Sequence, residues 1–305
     1  MLFSNTNQVF SVYHDNNRFR VRTYGDPPPH YRITIIEELE RCYRKIGQPP
    51  HPPEILIIDT EENLFNFFKQ EENRLSKLNG TQISNMLPES SVMHFAWRGW
   101  PTIVICVERM ENRPKRVAIA ELERAAAHSV LHGTPECYMI PLPPSFMSLQ
   151  TNGFFCETTL GLCFYILAAG VKDFEVTRKL IISDERFRRN QEQLYIFLLR
   201  MSDEECELWR LAGCNIDLCA VMLADTFKTL AGATPLVING CSKELMELYE
   251  KNISVLPYGL RHEMYLVLLG RLPSLGYNTI KNVNMIAEEF VQLLQRYMSG
   301  HIFLF

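Results

Sequence analysis

From about Cys156 onward apolar residues recur at helical spacing almost without a break, whereas the first 150 residues mix short apolar runs with helical stretches. Strands and helices bury their side chains with different periods, so this change constrains the fold more than any single motif does. A chain that confines its strands to one part and follows them with helices is α+β. The spacing predicts helices over 156–169, 172–183, 190–201, 216–231, 242–251, 259–270 and 282–298, with turns at Gly170, Gly213, Gly232 and Gly276. The organisation expected is a mixed part over 1–150 and a helical part over 151–305, either separate or as one continuous domain.

In the mixed part, residues 8–13 and 18–24 flank a turn-prone Asp-Asn-Asn and read as a hairpin. After Pro27, Pro28 and Pro29, the positions Ile35, Ile36, Leu39, Cys42, Tyr43 and Ile46 mark a helix over 33–46 closed by Gly47. The prolines at 49–53 form a stiff connector, because each fixes its own φ and disfavours helix in its predecessor. A buried strand follows at 54–59, then a helix over 61–78 carrying Leu64, Phe65, Phe67 and Phe68, then strands at 91–96 and 101–108. Asn112, Arg113 and Pro114 break the chain before a helix that begins near Val117 and ends at Gly133.

The 305 residues carry a net charge of −4 and a 47 % hydrophobic content. That balance offers no basic stripe for nucleic acid and no polybasic cluster for an anionic membrane. The apolar run 160–171 is too short to span a bilayer, and the first residues lack the pattern of a signal peptide. Nine scattered cysteines, several in apolar stretches, read as core thiols of a cytoplasmic protein; Cys214 and Cys219 have a poor ligand spacing.

The stretch 118–136 places His128 and His132 four residues apart on one face of its helix. Side chains at i and i+4 are neighbours, so two neutral imidazoles there can grip one zinc ion. Ala125, Ala126 and Ala127 leave room for close packing, and Gly133 fits the left-handed residue that ends a helix. The residue after the first histidine is Ser129, which cannot take a proton from a metal-bound water near neutral pH. Glu121, two turns earlier on the same face, and Glu136, just beyond the helix end, are the carboxylates that could replace such a base.

The His-Ser-Val-Leu-His-Gly run, behind a pair of strands, resembles the zincin-like metallopeptidase superfamily, whose members carry His-Glu-x-x-His on a helix behind a short sheet. The resemblance covers roughly residues 50–185 and implies a small sheet packed on the histidine helix, a bound zinc and a peptide or protein substrate. It also implies a third ligand on a following helix, for which Glu175 is preferred over Asp173 and Glu157. With Ser129 in place of the glutamate, the expected protein is a divergent or inactive peptidase that still binds zinc through His128, His132 and Glu175. The alternative is a metal-free scaffold that keeps the cleft for a peptide or protein partner.

Other motifs carry less. His262-Glu263 has Leu266 where a second histidine would be needed, and neither a phosphate loop nor Gly-x-Ser-x-Gly occurs. Trp97, Arg98, Gly99 and Trp100 form an aromatic turn that either lines a peptide groove or caps the hairpin.

Overall fold

A computed structural model describes residues 11–16, 19–79, 90–151, 155–200, 209 and 215–298. The chain divides into two compact units, Met1–Tyr138 and Met139–Phe305. The architecture is α+β, with the sheet wholly in the first unit and helices filling the second.

The first unit contains a mixed sheet of order β1-β2-β3-β5-β4. Strand β1 (Ser11–Asn16) runs antiparallel to β2 (Phe19–Tyr24), giving the expected hairpin; residues 8–10 and 18, also expected in it, lie outside the described residues. Strands β2, β3 (Glu54–Ile58) and β5 (Thr102–Cys106) are parallel, and β4 (Val92–Phe95) returns antiparallel to β5 at the sheet's edge. Every residue of β3 and β5 is buried, as strands covered on both faces must be, which explains their unbroken apolar runs.

Helix α1 (Pro29–Ile46) connects β2 to β3. It starts four residues before the predicted 33, because Pro29 is at home in a first turn while the apolar stripe begins only at Ile35. Helix α2 (Glu61–Asn79) sets Leu64 and Phe67 against Leu56, Ile58, Met93, Phe95, Val104 and Cys106. Residues 107 and 108, expected in a strand, instead open the short helix α3 (Val107–Glu111). Helix α4 (Lys115–Leu131) carries the histidines and packs against α1, β4 and β5. Its buried Ala120, Ala125, Ala126 and Ala127 are the small residues that allow this approach.

Gly133 does not adopt the left-handed conformation expected of it. Its role is steric: a Cβ there would stand 2.2 Å from the Ser129 carbonyl oxygen and 3.0 Å from Pro101 Cγ. The chain leaves α4 through a gap that only glycine fits.

The second unit comprises α5 (Pro144–Thr151), α6 (Glu157–Ser183), α7 (Glu185–Arg200), α8 (Ile216–Ile238), α9 (Lys243–Ser254), α10 (Tyr258–Tyr265) and α11 (Thr279–Met298). A π-helical turn, Leu266–Arg271, extends α10. Two predicted turns are absent, since Gly170 lies inside α6 and Gly232 inside α8. A Cβ at Gly170 would meet Lys228 Cα at 2.9 Å, and one at Gly232 would meet the Tyr195 hydroxyl at 2.0 Å. These glycines serve close helix packing, which local spacing does not reveal. Gly213 lies outside the described residues.

Helix α8 is long and apolar enough to cross a membrane by length and composition, and 61 % of its most apolar window is buried within the protein. Cys42, Cys106, Cys163 and Cys219 are buried, as read from their apolar settings, whereas Cys156 is exposed and caps α6. Cys214 lies outside the described residues.

Candidate metal centre

The end of α4 brings its two histidines together, their rings tilted by 51°. His132 follows the helix as its C-cap, and its backbone N–H donates to the His128 carbonyl at 2.7 Å. The two Nδ1 atoms stand 3.1 Å apart and the ring centroids 5.2 Å apart. At that separation one Nδ1 donates a proton to the other, or both face one cation. Two nitrogens bound tetrahedrally to zinc lie about 3.3 Å apart, since Zn–N is about 2.0–2.1 Å. The donor pair therefore fits zinc to within a few tenths of an ångström. His132 is fully buried and His128 partly so.

Two further residues complete the cluster, and neither was a candidate on sequence grounds. His94, on edge strand β4, stacks on His128 with centroids 5.9 Å apart and rings 12° from parallel. Its Nδ1 stands 2.5 Å from the hydroxyl of Tyr138, in the segment beyond α4. Register explains the placement: Val21, Ile55, Ile103 and His94 are successive cross-strand partners and share one face of the sheet. The opposite face carries Leu56, Val104 and Phe95 against α2. Strand alternation alone puts residue 94 on the face of 92, but pairing with α4 is a tertiary fact.

Ser129 is fully buried and lies on the side of α4 that meets α1. Its hydroxyl donates to the Ala126 carbonyl at 2.7 Å and bonds the Tyr43 hydroxyl at 2.8 Å. Residue 129 thus joins two helices. Glu121 is buried and accepts from the backbone N–H of Ser91 at 3.0 Å and from its hydroxyl. Burial pushes its carboxyl above the ordinary range, against the lowering effect of Ser91. Seven residues separate it from His128, about 10 Å along the helix axis. Glu136 is exposed in the 3₁₀ turn Pro135–Cys137, and a hydrogen bond from Thr134 holds its carboxyl below the ordinary range, which weakens it as a base.

The preferred third ligand, Glu175, belongs to α6 in the second unit. It is buried there, with one oxygen accepting from Thr279 Oγ1 at 2.7 Å and the other from Asn282 Nδ2 at 2.5 Å. Asp173 and Glu157 are on the same helix, the first half-buried and the second exposed. Among the described residues, no three His, Cys, Asp or Glu side chains already stand in an arrangement that could hold a metal ion.

The aromatic turn at 97–100 is built into the sheet's support. Trp97 stacks on Phe95 at 3.9 Å between centroids, and Trp100 remains 41 % exposed. Between them Arg98 bridges two buried carboxylates, Glu54 at 3.0 Å and Glu71 at 2.5 Å. Arg22 pairs with the same Glu54 and Arg74 with the same Glu71, so the network ties β2, β3, α2 and the β4–β5 turn together. Burial pushes the Glu71 carboxyl up, but hydrogen bonds and charge from Arg98 and Arg74 outweigh it and leave the group below its ordinary value.

No family model, curated protein or solved structure matches this chain.

Proposed function

We propose that this protein is a zincin-like, zinc-binding protein that does not hydrolyse peptides. One observation carries the reading: His128 and His132 present their Nδ1 atoms 3.1 Å apart at the end of a helix packed on the sheet's antiparallel edge strand. Two neutral imidazoles at that spacing suit zinc, and the helix that carries them packs on β4 and β5, the arrangement that the resemblance to zincin-like metallopeptidases implies.

A bound zinc supplies a Lewis acid and an acidified water. Hydrolysis further requires a side chain that takes the proton and returns it to the leaving amine. Here Ser129 is spent on the contact with Tyr43, Glu121 on Ser91, and Glu136 is an exposed, weakened base. The chain's own residues would therefore hold the ion without completing an acid–base pair. An extended peptide or protein partner would pair with β4, which sits at the sheet's edge beside the histidines, and would be held uncut.

Elemental analysis of the purified protein beside a His128→Ala/His132→Ala variant tests this. The expected result is about one zinc per chain in the parent, lost in the variant, with no zinc-dependent cleavage of peptide libraries. Zinc-free parent protein after incubation with zinc, or cleavage that both histidines are needed for, overturns the reading.

A further inference from the structure

Zinc sites held by protein usually have three or four protein ligands, and the helix supplies only two imidazoles. Glu175 has each of its oxygens engaged within its own unit, by Thr279 and Asn282. We propose that His94 is the third zinc-binding imidazole and that Tyr138 is the residue positioning it, an inference that rests on the zinc reading of His128 and His132.

Ring distances support this assignment. When three imidazoles surround a tetrahedral zinc, each ring centre lies about 3.2 Å from the ion and neighbouring centres lie about 5.2 Å apart. The His128–His132 centroid distance is 5.2 Å and the His94–His128 distance is 5.9 Å. His94 stands farther from His128 than that, and its ring must turn out of the 12° stack on His128 to face the same ion. His94 is half-buried on an edge strand, where side-chain rotation displaces less than it would in the sheet's centre.

The hydroxyl of Tyr138 donates to the His94 carbonyl at 3.5 Å, so its oxygen can accept from His94 Nδ1–H. A metal-bound histidine commonly donates its other ring N–H to an oxygen, which sets the tautomer and the ring's orientation. Tyr138 stands 2.5 Å from His94 Nδ1 in that relation, leaving Nε2 as the metal-binding atom. All four residues belong to the first unit and come from β4, α4 and the segment just after it. Three neutral imidazoles make a site for a borderline divalent ion, zinc or cobalt, rather than for magnesium or calcium.

X-ray absorption of the zinc-loaded full chain counts the imidazoles directly, and cobalt titration supplies an absorption spectrum and an affinity. The expected shell contains three imidazoles. His94→Phe, which keeps a stacking ring, should remove one of them and change the cobalt spectrum. Tyr138→Phe should keep all three but weaken affinity about 10- to 100-fold. If His94→Phe does not fold, His94→Gln and the parent's own ligand count carry the test. Metal lost on replacing His128 or His132 but held unchanged in the His94 variants removes His94 from the site and leaves the two-histidine reading standing. A parent protein that takes up neither zinc nor cobalt overturns both.

Discussion

Replacing Ser129 by alanine and Tyr43 by phenylalanine, singly and together, tests whether the residue after the first histidine faces α1 instead of the histidine cluster. The Ser129 hydroxyl gives its proton to the Ala126 carbonyl, so in its bond with Tyr43 it is the acceptor. Both side chains are buried, at 0 % and 4 % exposure. Ser129→Ala then strands a buried O–H donor, which costs about 1–3 kcal/mol. Tyr43→Phe removes that donor and leaves Ser129 still bonded to Ala126, for a loss of about 0.5–1.5 kcal/mol. The double variant strands no donor, so the single losses should exceed its loss by a coupling of about 1 kcal/mol. Ser129→Glu, the change that would rebuild the peptidase motif, instead buries a carboxylate between helices, a penalty of several kcal/mol for an unpaired ion. Against a typical stability of about 5–15 kcal/mol, that is enough to loosen the first unit. Urea titration followed by tryptophan fluorescence suits the measurement, because Trp97 and Trp100 lie in that unit. Additive single losses would remove the hydrogen bond from the account. A Ser129→Glu protein with the parent's urea midpoint and new zinc-dependent peptidase activity would refute the orientation itself.

Arg98→Ala should destabilise the first unit by about 3–5 kcal/mol, because it leaves Glu54 and Glu71 buried without their shared cation; an unchanged urea midpoint would show that Arg22 and Arg74 suffice. The Glu71 carboxyl is depressed in the folded protein, so its contribution is present above the unfolded value of about 4.3 and is lost as pH falls through the lower folded value. Arg98→Ala should therefore flatten the acid limb of the stability–pH curve, and an equally steep limb in the variant would contradict this. Gly232→Ala should cost about 1–3 kcal/mol through its clash with Tyr195, and Tyr195→Phe should return part of it, since the hydroxyl is the closest atom. Thermal melts of the two single variants and the double variant decide that point.

Local signals carried much of this protein's outline. The apolar stripe of α1, the unbroken runs of β3 and β5, and the change to helical spacing after Cys156 each report burial by elements that follow one another in the chain. The i, i+4 geometry of His128 and His132 is likewise local, and the two rings do meet. What spacing could not report was the partner across space. Gly170 and Gly232 look like helix breakers until the neighbouring helix that needs their missing side chains is in place. Ser129 reads as a lost catalytic base until Tyr43, 86 residues away, shows which side of α4 it faces. His94 and Tyr138 carry no helical spacing to His128 at all; sheet register with the packing of β4 on α4 brings His94 to it, and the turn beyond α4 brings Tyr138 to His94. The sequence by itself determined most of the strands and long helices, though not α3, α5 or the continuity of α6, because periodic burial is written residue by residue. Only the tertiary structure decided which side chains meet, because a contact depends on the faces that two distant elements turn toward each other.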